Sequence, residues 1–182
     1  MSTAYIHEAA QRLIHRCNSR DPFEIAKEIG IKLRYNHRFT ALKGMYIVVE
    51  RNRVITLNSN LKKRVQRIVL AHELGHDTLH RAFAKDNALR EFMIYDMSTR
   101  PEYEANVFAG EILLDDKEIL ALAKEGYDIP QIAGELDTDY NLLSFKMNEM
   151  ARKGYDFRIS LDTDTRFLGK TFEGEFETYE YC

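Results

Sequence analysis

Two histidines four residues apart, His72 and His76 in the run Ala71-His72-Glu73-Leu74-Gly75-His76, constrain this chain more than any other feature of its sequence. Such a pair acts together only on a helix, where residues i and i+4 share a face and two imidazoles can converge on one cation. Apolar residues at Val65, Ile68, Val69, Ala71, Leu74 and Leu79 follow the same period. A helix from about Leu61 to His80 is therefore expected, with N-caps offered by Asn58-Ser59-Asn60. Glu73 is rotated by about 100 degrees from His72. That offset stands its carboxylate beside the cation, where it can take a proton from an attacking water.

Zn2+, one ion, suits this donor set, because two imidazoles and a carboxylate leave a fourth position open. The carboxylate has to come from elsewhere in the chain. A helix starting at Pro101, with Ala105, Phe108, Ala109, Ile112 and Leu113 on one side, supplies Glu102, Glu104 and Glu111. Glu102 and Glu104 are two apart and point to different sides, while Glu111 roughly shares the face of Glu104. Spacing alone does not choose among them.

Around these two helices the chain reads as one domain over residues 1–154, with an appendage at 155–182 that is either a hairpin or a tail. A helix is expected from about Ala4 to Cys17, and a shorter one capped by Asp21, opened by Pro22 and closed at Gly30. Three strands follow, Ile31–Tyr35, Met45–Val49 and Val54–Leu57, the last two joined by the turn Glu50-Arg51-Asn52-Arg53. The stretch from about Asp86 to Thr99 reads as a polar connection. Helices from Pro130 to about Leu136 and from Tyr140 to Lys153 complete the domain. The fold class expected is α+β, a small, mainly antiparallel three-stranded sheet packed on a mostly helical body. The strand Val54–Leu57 has two readings, a sheet edge able to pair with an extended substrate or ordinary sheet core.

Composition narrows the functional classes. A net charge of -3 supports no general affinity for nucleic acid. The basic run Lys62-Lys63-Arg64 with Arg67 reads as a solvated helix face, and the two last helices resemble a helix-turn-helix in outline but carry acids as freely as bases, so no direct nucleic acid binding is expected. No apolar run approaches the ~20 residues that span a bilayer. Cys17 and Cys182 form neither a metal spacing nor a disulfide framework, which fits a cytoplasmic protein.

The segments His72 to His80 (His-Glu-Leu-Gly-His-Asp-Thr-Leu-His) and Glu104 to Ala109 (Glu-Ala-Asn-Val-Phe-Ala) together resemble the ImmA/IrrE family of gluzincin-like zinc metallopeptidases. Asp21 to Ala26 and Asn58 before the metal helix add to the likeness, which covers about residues 5 to 153. The chain departs from the pattern at Leu113-Leu114-Asp115-Asp116, where members usually carry Leu-Leu-Met-Pro. The resemblance implies Glu104 as the third metal ligand. It also implies a regulatory protease of a phage or mobile element, or one answering stress, whose substrate is a helix-turn-helix transcriptional repressor.

Supporting roles fall to residues nearby. His80 lies one further turn along the metal helix, where it can orient a ligand or simply complement the helix dipole. Asp77 and Asn106 are of the right type to hold the second ring nitrogen of a ligand. Tyr46, Tyr95, Tyr103, His80 and Arg100 are each able to donate to an oxyanion, and the sequence does not select one. A non-catalytic alternative remains, in which zinc stabilises a binding or sensor module that sequesters a repressor or other partner.

Overall fold

The structure, a computed structural model, describes residues 1–85, 88–91 and 99–157. The expected appendage therefore lies outside the described residues from position 158 onward. The chain opens with α1 (Thr3–Cys17), capped by the Ser2 side chain accepting from the Tyr5 amide and ended by Asn18 in the left-handed conformation. Asp21 caps α2 (Pro22–Glu28), with Pro22 in the first turn as its sequence implied.

Strands β1 (Lys32–Asn36), β2 (Gly44–Val49) and β3 (Asn52–Asn58) follow, and β4 (Leu89–Glu91) joins later in the chain. The sheet order is β1-β3-β2-β4, with β1 parallel to β3 and the other pairings antiparallel. The expectation of a mainly antiparallel three-stranded sheet is thus corrected to a mixed sheet of four strands, within an α+β architecture. Glu50 and Arg51, both at positive φ, turn β2 directly into β3. That hairpin occupies one edge of β3 and leaves the other to β1. Strand β4 has only three residues, too few for an alternating pattern to stand out within a polar stretch.

Strand β3 decides between the two readings of Val54–Leu57. It lies inside the sheet, and Val54 through Asn58 are all buried. The sheet edges among the described residues are β1 and β4, so the Val54–Leu57 segment is sheet core and has no edge to offer a substrate.

The helix α3 (Lys63–Leu79) packs on the sheet, with Val69, Leu70, Ala71 and Leu74 buried against Tyr46, Ile55 and Leu57. Its N-cap is Lys62, without a side-chain cap, and not a residue of the Asn-Ser-Asn run. Asn58 instead braces the loop before β2, donating to the carbonyls of Phe39 and Leu42 at 3.1 and 2.9 Å.

Next come α4 (Arg100–Leu113), α5 (Asp116–Lys124), α6 (Ile129–Glu135) and α7 (Tyr140–Arg152). Where α3 crosses α4 the backbones come close: a β-carbon on Gly75 would stand 3.0 Å from Ala105 Cα and 3.2 Å from Phe108 Cβ. Glycine and alanine at that crossing bring the first turn of α4 over the histidine face of α3.

Helices α5 to α7 enclose a second apolar cluster built on Ile119, Ile132, Leu142, Leu143 and Met150, joined to α3 through Ile68. The helix-turn-helix outline belongs to α6 and α7, but α7 buries Leu142, Leu143, Phe145, Met147 and Met150 and is used for packing. No helix among the described residues is long and apolar enough to cross a membrane.

Candidate metal centre

Three imidazoles line one face of α3. The Nε2 atoms of His72 and His76 lie 3.0 Å apart, and the Nδ1 atoms of His76 and His80 lie 3.1 Å apart. All three residues are no more than 3% exposed. Glu102, from the first turn of α4, closes the group, with Oε2 at 3.0 Å from His72 Nε2 and Oε1 at 3.5 Å from His76 Nε2. One ligand atom from each of His72, His76 and Glu102 lies within 4.8 Å of the others.

Glu104, which the resemblance implied as the third ligand, is held elsewhere. Its Oε2 lies 2.9 Å from His80 Nε2, and its Oε1 accepts from Arg100 Nε at 3.0 Å and from the Met1 amine. The reason is helix phase. A step of two residues turns the side chain by about 200 degrees, and the Gly75–Ala105 crossing presents the Glu102 side of α4 to His72 and His76. The sequence contained a signal for this. Asn106 is one turn after Glu102, and its Oδ1 lies 3.0 Å from His72 Nδ1. Asn106 thus shares its side of α4 with Glu102 and not with Glu104, and both meet His72.

The remaining candidates divide. Asp77 faces the sheet, where it accepts from the Tyr46 hydroxyl at 2.6 Å and from Arg53 at 2.8 Å, with Arg81 at 3.1 Å. It ties α3 to β2 and β3, and commits Tyr46 to that tie. Burial, followed by the Asp77 contact, raises the Tyr46 phenol well above its ordinary range. Tyr103 turns from the metal group and packs edge-on against Phe145 at 5.8 Å; burial and the nearby Glu149 push its hydroxyl up to about 12. Glu111 sits on the far side of α4, between Lys146, Lys153 and His7 at 2.7 to 2.8 Å. Tyr95 falls outside the described residues.

Glu73 is fully buried on the flank of the group that faces β2. A β-carbon on Gly44 would stand 2.5 Å from its Oε1, so the absence of a side chain at position 44 is what leaves room for the carboxylate. This contact was not legible in the sequence, since Gly44 lies in a different element with no motif around it.

The donor chemistry fits a zinc-type cation. Asn106 Oδ1 is an acceptor, so His72 Nδ1 carries the proton and Nε2 a lone pair. Glu104 is likewise an acceptor, so His80 donates from Nε2, and His80 Nδ1 then accepts from His76 Nδ1. His76 Nε2 is left with a lone pair. Two imidazole lone pairs and a carboxylate thus converge, which is the donor set of a catalytic zinc site. Burial lowers the His76 imidazole to about 4, against the opposing pull of Glu102. It lowers His80 as well. Burial alone would raise the Glu102 carboxyl, but His72 and His76 outweigh it and hold the group well below the usual carboxylate range.

The family model of the IrrE N-terminal-like domain, a peptidase family, matches residues 25–148 of the chain. The chain belongs to the ImmA/IrrE family. The match takes in the sheet, α3 and α4, and so every residue of the group described above. Among curated proteins, uncharacterized immunity region protein 2 of Bacillus phage phi105 is 33% identical over 128 residues, covering 70% of this chain and 80% of that protein. Metallopeptidase ImmA of Bacillus subtilis (strain 168) is 29% identical over 103 residues, or 53% of this chain and 56% of ImmA's own length. The ImmA/IrrE assignment is thus one to a metallopeptidase family, with a phage immunity-region protein among the relatives.

Proposed function

We propose that the chain is a zinc-dependent endopeptidase whose metal ligands are His72, His76 and Glu102, with Glu73 as general base. The observation that carries this reading is the convergence of two imidazole Nε2 atoms and the Glu102 carboxylate within 4.8 Å, beside a second buried carboxylate that is not part of the group. Glu104, first expected as the ligand, is assigned to support.

When bound, zinc supplies a Lewis acid that polarises the scissile carbonyl and makes a water acidic enough to attack at neutral pH. Glu73 takes the proton of that water on its carboxylate and then passes it to the nitrogen of the leaving amine. His72 and His76 hold their orientation through Asn106 and His80, so neither ring has to reorient during turnover. His72, His76 and Glu73 are buried, and the side chain of Glu102, 21% exposed, marks the side open to substrate.

The substrate class proposed is a regulatory protein, specifically a helix-turn-helix transcriptional repressor whose cleavage releases the genes it silences. Support comes from the immunity-region relative and the ImmA metallopeptidase relative. The test incubates purified protein with repressors encoded beside it, with and without a chelator. Fragments that form with the wild type, vanish with chelator and are absent for Glu73→Gln support the enzyme. Cleavage retained by Glu73→Gln, at a rate within a few-fold of wild type, contradicts it, since a positioned general base is worth about 10²–10⁴-fold.

A further inference from the structure

We propose that Glu104 and His80 form a positioning relay that fixes the tautomer and ring angle of His76, so that Glu104 acts on the metal through His80 and not as a ligand. The inference rests on the metal-centre reading given above and extends it by one shell on one side of the site.

The chain of contacts runs from α4 back to α3. Glu104 Oε2 lies 2.9 Å from His80 Nε2, and His80 Nδ1 lies 3.1 Å from His76 Nδ1. Each member is nearly solvent-free, at 3%, 2% and 2% exposure for Glu104, His80 and His76. The direction of the protons is forced by the end of the chain. A carboxylate only accepts, so His80 donates from Nε2 and must accept at Nδ1, and His76 must donate from Nδ1. The result presents the His76 Nε2 lone pair toward His72 and Glu102. Arg100 Nε at 3.0 Å and the Met1 amine donate to the other Glu104 oxygen, which fixes the carboxylate in place with Oε2 turned to His80.

His72 is treated differently. Its Nδ1 is met by the neutral amide oxygen of Asn106 at 3.0 Å. The two ligand imidazoles are thus supported unequally, one by an amide and one by a charge acting through a second imidazole. Spacing explains why a relay is needed. His80 stands one helical turn beyond His76 and fills the gap that a carboxylate on α4 does not bridge directly. A His80 placed merely to complement the helix dipole would need no ordered acceptor behind it.

The experiment measures zinc affinity by competition with a chromophoric chelator, alongside far-UV circular dichroism of each metal-free protein. The variants are His80→Ala, Glu104→Ala, the two combined, Glu104→Gln, and Glu102→Ala as the ligand control. Relay action predicts one zinc per chain in both single alanine variants with affinity weakened about 10–100-fold. The double variant should be no weaker than the weaker single, because both changes break one chain of contacts. Glu104→Gln should recover only part of the loss, since its amide oxygen still accepts from His80 while its NH2 meets the Arg100 and Met1 donors and the charge is gone. Cobalt(II)-loaded His80→Ala should show a shifted visible absorption band, which a remote packing effect would leave in place. Wild-type affinity in His80→Ala, or additive losses in the double variant, would overturn the relay. Glu104→Ala losing stoichiometric zinc while Glu102→Ala keeps it would make Glu104 the ligand. Failure of the wild type to bind zinc at all would remove the metal-centre reading itself, an outcome distinct from these.

Discussion

The Glu73 carboxylate lies against the backbone of Gly44, close enough that a β-carbon there would stand 2.5 Å from Glu73 Oε1. Strand β2 therefore helps set the position of the proposed base. Val69 Cγ1 is equally near, at 2.5 Å, so neither neighbour can absorb an added methyl without moving. The expected effect of Gly44→Ala is displacement of Glu73 with the metal ligands left intact. Activity should fall about 10²-fold, the scale on which a misplacement of about 1 Å acts, while zinc stoichiometry stays unchanged. Steady-state cleavage together with metal analysis checks this.

Removal of metal should loosen the crossing of α3 and α4, because the three proposed ligands come from both helices. Zinc binding only to the folded chain stabilises it by about 2.7 kcal/mol at a free concentration 100 times Kd. For a chain of this size that corresponds to about 5–10 °C in Tm. Differential scanning fluorimetry with buffered zinc and with chelator should show that rise in the wild type and none in the combined His72→Ala and His76→Ala variant.

The acid limb of stability should trace to Glu111. Burial alone would raise its carboxyl, but Lys146 and Lys153 outweigh burial and bring it down to about 2 from an ordinary 4.5. A depressed carboxyl contributes fully above its unfolded pKa, and the contribution is lost as pH falls through the folded one. Urea unfolding should therefore weaken between about pH 4.5 and 2 in the wild type. Glu111→Gln should flatten that limb and cost about 3 kcal/mol at neutral pH, the lower end for a broken buried pair, since Lys146 keeps Asp116 at 2.6 Å.

What the sequence revealed and what it withheld follow from the range of each signal. The pair His72 and His76, the proposed base Glu73 and the helix that carries them depend on spacing within a few residues, and that spacing survives folding unchanged. The same holds for the caps at Asp21 and Pro22. That Glu102 stands by His72 and His76 while Glu104 stands by His80 depends on the crossing of two helices, which Gly75 and Ala105 allow by their small size and which no local period encodes. Placing β1 parallel to β3, and finding the three-residue β4, likewise depend on contacts between distant segments. Asp77 looked like a support for a ligand because it adjoins His76 in sequence, but its helix face turns it to Tyr46 and Arg53 on the sheet.

The most direct test of the central claim is a crystal structure of the zinc-loaded protein with anomalous data at the zinc edge. One peak is predicted, within about 2.0–2.2 Å of His72 Nε2, His76 Nε2 and a Glu102 oxygen, with Glu104 remaining on His80. A peak coordinated by Glu104 in place of Glu102, or no peak between the two imidazoles, would contradict the account.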